Sequence, residues 1–198
     1  MWALVKASQV IEIFANPKSI TVGEIRHPKD IFMHWSSNDL KAIGVYEFIR
    51  GTKADNRFET PTTTSYKVDD SAGTVTETVN KKDKELDDKT VDGMVIKGLK
   101  TIYTEQIQKQ ATALLTPTDW MIVRKAEDSS KSIASDVTTF RASVRTKSDE
   151  IVTAIGNCDT LDKLKALFVT EYNSDGSVKT KATMDSLPED DDIEGYKR

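Results

Sequence analysis

"LLTPTDWMIVRKAED", Leu114–Asp128, decides how the second half of this 198-residue chain folds. Apolar residues lead into it at helical spacing, Thr116-Pro117 interrupts them, and an acid, a Trp and a basic pair follow at once. Thr116 is a candidate cap. Pro117 suits the first position of a new helix, because the N–H it lacks would have no partner there. Asp119 lies three residues past the cap, where its charge meets the exposed N–H groups. Leu114–Thr118 therefore reads as a helix–turn–helix corner. Asp119 faces the helix start, and Trp120, Val123 and Ile122 face inward.

Upstream of the corner, Val91, Val95, Leu99, Ile102, Tyr103, Ile107, Ala111, Leu114 and Leu115 recur at steps of three and four. That pattern predicts one long amphipathic helix over Thr90–Leu115. Downstream, Val137, Phe140, Val144, Ile151, Val152 and Ile155 form the stripe of another helix from Ala134 to Ile155, interrupted by Lys147-Ser148 and ended by Gly156-Asn157. A short helix follows, capped by Asp159 or Thr160 and apolar at Leu161, Leu164, Leu167 and Phe168. Val169–Thr180 reads as a small hairpin turning at Asp175-Gly176. The acidic segment from Asp185 onward has few apolar anchors and is expected to be mobile unless a partner holds it.

The first half has a different period. Trp2–Lys6, Val10–Ala15 and Ser19–Ile25 are short, rich in β-branched and aromatic residues, and closely spaced, as in an antiparallel meander. Ser36 or Ser37 caps a short helix over Asn38–Ile43 that Gly44 ends. Val45–Arg50 is a strand, and Ser65–Val68 with Thr74–Val79 forms a Thr-rich hairpin turning at Asp69–Gly73. Residues 1–80 thus form a β-rich domain, 81–89 a charged linker, 90–168 a helical domain, and 169–198 a small hairpin with an acidic tail. The fold class expected is α+β: a small antiparallel β-sheet N-terminal domain followed by a helical-hairpin C-terminal domain.

Composition narrows the function. Charged residues make up 30% of the chain and hydrophobic ones 37%, with a mixed-sign net charge of −4, so no basic face for nucleic acid is expected. No apolar run nears the roughly 20 residues that span a bilayer. The opening "MWALVKASQVIEIFANP" lacks the basic start and unbroken apolar stretch of a signal peptide. A single cysteine, Cys158, allows no internal disulfide and suits a reducing cytoplasm.

Chemistry is hard to find. His27 and His34 have no neighbouring cysteine or paired carboxylate, and a metal needs three or four convergent ligands. There is no phosphate-binding glycine loop, no nucleophile elbow and no zinc-protease motif. Cys158 is far in sequence from any histidine that could serve as its base. Asp69-Asp70 and Asp190-Asp191-Asp192 sit in turn and tail contexts, where solvation is the plainer reading than catalysis or a weak calcium site. The expectation is a protein without enzymatic activity, cofactor or metal. The strongest constellation is Asp119, Trp120 and Arg124 with Phe140, Arg141 and Arg145. One reading is a Trp/Phe contact ringed by surface ion pairs. The other is an Arg-and-aromatic hot spot for a protein partner.

The run "ALLTPTDWMIVRKAED" followed by "ASDVTTFRASVRTKSDEIVTAI" resembles the "LL…TDW…R…YR…R" pattern of tail-fibre assembly proteins and related small virion proteins of tailed bacteriophages, many from marine and cyanobacterial phages. The matching positions are Leu114, Leu115, Thr118, Asp119, Trp120, Arg124, Phe140, Arg141 and Arg145. Phe140 stands where the pattern usually has Tyr, which removes a hydroxyl. "MWALV", "HPKDIF" and "W…DLKAIGVY" also resemble openings of such proteins. The resemblance implies a structural component of the virion, in the tail, baseplate or fibre-attachment region. Such a component is made in the host cytoplasm and contacts other tail, baseplate or fibre proteins in multiple copies, with no nucleic acid or membrane partner. A tail-fibre assembly chaperone that does not stay in the particle shares the pattern. A third alternative, a host-surface carbohydrate binder, would need Trp2, Trp35 or Tyr46 exposed in a groove, whereas their apolar neighbours favour burial.

Overall fold

Trp2–Lys6 (β1) reads WALVK, with no polar residue before Lys6, and a strand of that kind needs cover on both faces. The computed structural model, which describes residues 1–189, supplies it. The chain divides into two compact units, Met1–Asp83 and the part from Lys84 onward. Asp190-Asp191-Asp192 and the rest of the acidic tail's end lie outside the described residues.

In the first unit β1 is followed by β2 (Gln9–Phe14), β3 (Ile20–Val22), β4 (Ile25–His27), the short helices α1 (Ile31–His34) and α2 (Ser37–Ala42), and then β5 (Val45–Ile49), β6 (Glu59–Asp69) and β7 (Thr74–Asp83). Five strands form one sheet in the order β2-β1-β5-β7-β6, and β3 pairs only with β4. The edge strands β2 and β6 approach each other, so the sheet curls toward a barrel. Ala3 and Val5 point to one face and pack with Tyr46, Phe48 and Val75. Trp2 and Leu4 point to the other, against Phe14, Ile20, Ile31, Leu40 and Val45, where α1, α2 and the β3–β4 hairpin cover the sheet.

The sheet is mixed. β5 runs parallel to β7, with Glu47 opposite Thr74 and Ile49 opposite Thr76, because β6 is carried past β7 to the sheet's edge. Gly51 makes the crossover possible: a Cβ there would lie 2.5 Å from the Glu77 carbonyl oxygen, so only glycine lets the chain leave β5 so close to β7. Lys81–Asp83, expected in the charged linker, continue β7 as partners of Glu59–Pro61, and Lys81 pairs with the buried Glu59 at 2.8 Å.

The second unit begins with a hairpin, β8 (Lys89–Val91) and β9 (Met94–Ile96), turning at Asp92-Gly93 with φ of 51° and 78°. Then come α3 (Leu99–Leu115), a 3-10 turn over Thr116–Thr118, α4 (Asp119–Glu127), α5 (Ser135–Gly156), α6 (Leu161–Ala166) and a hairpin of β10 (Glu171–Tyr172) and β11 (Val178–Thr180). α3 buries Leu99, Tyr103, Ile107 and Ala111 against α5, which buries Val137, Phe140, Val144, Ile151 and Ile155. After β11 the chain returns to α6, where the Met184 N–H donates to the Leu167 carbonyl at 3.0 Å.

The expected plan of a small antiparallel sheet followed by a helical hairpin is therefore corrected to a mixed α/β architecture. The large sheet contains a parallel pair, short helices sit inside the strand-rich unit, and hairpins bracket the helices of the other. The long helix does not start at Thr90. Val91 and Val95 fell on its stripe by spacing, but the intervening Asp-Gly favours φ > 0 and makes a tight hairpin turn instead. Gly98 then opens α3, donating its N–H to Asp88 Oδ1 at 2.8 Å, where a Cβ would collide with the Asp87 backbone.

Candidate functional site

At the corner Pro117 supplies no N–H, yet the chain does not break. Thr116 keeps helical angles (φ −51°, ψ −43°), and the 3-10 turn leads directly into Asp119. A capping side chain needs extended backbone at the cap, and neither threonine has it. Their hydroxyls reach backward instead: Thr116 Oγ1 donates to the Thr112 carbonyl at 2.8 Å, and Thr118 Oγ1 to the Leu115 carbonyl at 2.9 Å. The cap expected at Thr116 is thus replaced by a bend that retains helical hydrogen bonding.

Arg141 of α5 closes that bend. Its Nη1 donates to the Leu115 carbonyl at 2.7 Å and to Thr118 Oγ1 at 2.6 Å, and its Nη2 to Asp119 Oδ1 at 2.7 Å. Arg141 is only 5% exposed and Thr118 is buried, while Asp119 is more than half exposed. Arg141 Nε is buried with no partner among the described residues. Phe140, the preceding residue on α5, packs with Ala111, Val137 and Val144, and half-buried Leu114, Leu115 and Met121 border that cluster. Arg145, one turn on, is exposed and among the described residues makes only a long 3.4 Å hydrogen bond to the Arg141 carbonyl.

α4 itself points the other way from expectation. It has no buried residue, and Trp120, Ile122 and Val123 are 46%, 41% and 55% exposed. The 3-10 turn sets the helix so that Thr118 and Met121 face the core and Trp120 faces out. The Arg124 guanidinium lies 4.9 Å from the Trp120 ring centroid and forms no hydrogen bond or close ion pair among the described residues. The six residues singled out by sequence therefore separate into three groups. Asp119 and Arg141, beside Phe140, form an internal lock; Trp120 and Arg124 form an outward pair; Arg145 stands apart.

In the first unit the sequence missed a brace. Ser8 Oγ hydrogen-bonds Asp70, Tyr46 Oη donates to Asp70 Oδ1 at 2.8 Å, and Lys41 Nζ donates to the Ser71 carbonyl at 2.5 Å. The Ser8 and Tyr46 bonds hold the Asp70 carboxyl below its usual range, and the bond to Asp70 raises the Tyr46 phenol. No local signal links residues this far apart in sequence. Tyr46 is buried, Trp35 is exposed beside His27 with ring centroids 5.5 Å apart, and Trp2 is half-buried with its ring 4.9 Å from Phe32.

Among the described residues, no group of three or more His, Cys, Asp or Glu side chains is placed to hold a metal, and no helix is long and apolar enough to cross a membrane. Cys158 is buried, and desolvation pushes its thiol up. No protein-family model matches the chain, and no curated protein or solved structure matches it.

Proposed function

We propose that this chain is a structural, non-enzymatic component of a tailed-phage virion, in the tail, baseplate or fibre-attachment region. Its outward α4 face would contact a neighbouring tail, baseplate or fibre protein. The observation that carries the contact role is the Trp120–Arg124 pair. An exposed Trp, stacked by a guanidinium that makes no hydrogen bond among the described residues, stands on a helix whose other large exposed apolar residues are Ile122 and Val123. Trp and Arg dominate binding energy at protein interfaces, and a stacked Arg arrives with part of its ordering already done. The Arg141 lock supports the reading, because it fixes α4 to the helical core and so presents that pair on a rigid base. The phage context rests on the resemblance of Leu114–Arg145 to the tail-protein pattern.

The test replaces Trp120 and Arg124 by Ala, singly, in the phage that encodes the protein. Both variants should fold, and their incorporation into particles should drop. If the variants are incorporated as well as the native chain, α4 is a solvated helix and the contact lies elsewhere. If the native chain is abundant in infected cells but absent from particles, the surface serves a transient client, and the protein is an assembly chaperone.

A further inference from the structure

β9 is Met94-Val95-Ile96, and all three residues are more than half exposed, Met94 the most at 70%. Val91 of β8 is exposed as well. Among the described residues no other strand presents three large apolar side chains in a row to solvent. The hairpin is a sheet of two strands, and neither outer edge is paired among the described residues. Exposed edges are ordinarily blunted by a charge, a Pro or a bulge, and an isolated hairpin is marginal in water. β8 has Lys89 on its edge; β9 has none of these devices.

The turn fixes which backbone groups point outward. Asp92 and Gly93 both have positive φ, as a two-residue hairpin turn requires, so the flanking Val91 and Met94 exchange both N–H···O bonds. Thr90 and Val95 are then opposed without a hydrogen bond between them, and Lys89 and Ile96 are bonded again. The Val95 N–H and C=O therefore leave β9 on its free edge, and those of Thr90 leave β8 on the other.

Such an edge accepts an extended, uncharged, apolar segment, and β9 is itself one. Laid antiparallel with Val95 opposite Val95, two copies of β9 exchange both backbone bonds at that residue, and Met94 lies opposite Ile96 of the second copy. The same register matches opposite charges. Asp92, which has no ion pair within its own chain among the described residues, comes within one residue of Lys97 of the second copy at either end. We propose that β9 is a self-association edge, through which two copies of this chain join as an antiparallel β9–β9 pair centred on Val95, making one four-stranded sheet from two hairpins. The pairing uses no residue of α4, so its failure would leave the virion reading untouched.

The test is sedimentation velocity on the full chain from about 10 µM to about 1 mM, with amide exchange followed by NMR over the same range. A monomer–dimer equilibrium should appear, and exchange at the Val95 amide should slow as dimer forms while that at Thr90 does not. Val95→Pro removes the outward N–H without touching a bond inside the hairpin, and Val95→Lys sets two lysines directly opposite each other. Each should keep the native far-UV spectrum and weaken dimerisation about tenfold or more. Thr90→Pro, the same change on the other edge, should dimerise like the native chain. A chain that stays monomeric throughout overturns the proposal. So does a dimer that leaves Val95 exchange unchanged, or one that survives both Val95 substitutions.

Discussion

Arg141 brings a fixed charge into the helical core, and its guanidinium finds a carbonyl, a hydroxyl and a carboxylate there, with Nε left over. Removing it takes the Nη1 donor from the Leu115 carbonyl and from the buried Thr118 oxygen, which keeps only its own bond to that carbonyl, so Arg141→Met, which keeps most of the volume, should cost about 1–3 kcal/mol in chemical denaturation. Asp119 is the exposed partner, and Asp119→Asn should cost less than about 1 kcal/mol. Equal losses would mean that the ion pair, and not the hydrogen bonds to the bend, holds the corner. Trp120→Ala should also stay near 1 kcal/mol or below, against the roughly 3–5 kcal/mol of a buried Trp. A loss in the larger range would place Trp120 in the core after all.

Asp70 gives a pH signature. Its folded-state carboxyl is held down by Ser8 first and Tyr46 second, so near and below the ordinary aspartate value, about 3.9, the unfolded chain binds more protons than the folded one. That contribution is complete above this value and is lost as pH falls through the lower folded one. In an NMR titration, Tyr46→Phe should move the Asp70 midpoint up toward the ordinary value. An unmoved midpoint would show that the phenol bond is not formed in solution. The residues of the corner were legible because an acid, a Trp and spaced arginines are conspicuous in sequence. The direction of Trp120 was not legible, because it depends on whether Pro117 starts a new helix or continues a bend. Pro117 alone does not decide that; the backward bonds of two threonines do.

At the scale of elements, the α2–β5 junction is tightly constrained. Gly44 has φ +79°, a Cβ on it would lie 2.5 Å from the Val5 carbonyl oxygen, and its own carbonyl accepts from the Val5 N–H at 2.7 Å. Gly44→Ala therefore meets both backbone strain and a fixed neighbour, and should cost about 2 kcal/mol or more in thermal or denaturant unfolding. A neutral substitution would contradict the β1–β5 pairing as described. Gly44 was readable as a helix end, and so was a cap at Ser36 or Ser37, because both signals are local; the structure uses Ser36. β8–β9 shows how a local signal is overridden by a longer pattern. "TVDGMVI" carries a hairpin turn in four residues, but Val91 and Val95 also continue the helical spacing of α3, and only Gly98 and the Asp87 backbone beside it separate the two.

For the molecule as a whole, the sequence reads as a shift from β-branched segments to helical stripes across the charged segment 81–89, whereas the chain divides after Asp83 and β8–β9 precede the first long helix. The order of the strands was not legible. β7 lies between β5 and β6 because of the crossover after Gly51, and a parallel pair between segments some thirty residues apart leaves no trace in the alternation of either strand. The proposed role likewise rests on a motif legible in sequence and on an outward Trp120–Arg124 pair that only the bend at Thr116–Thr118 produces. Its central claim is that the chain is built into a particle. The most direct measurement is quantitative mass spectrometry of purified virions from the phage that encodes it, counting this chain against the major capsid protein. A structural component should be present at a fixed, reproducible number of copies per particle. Absence from particles that assemble normally would contradict it.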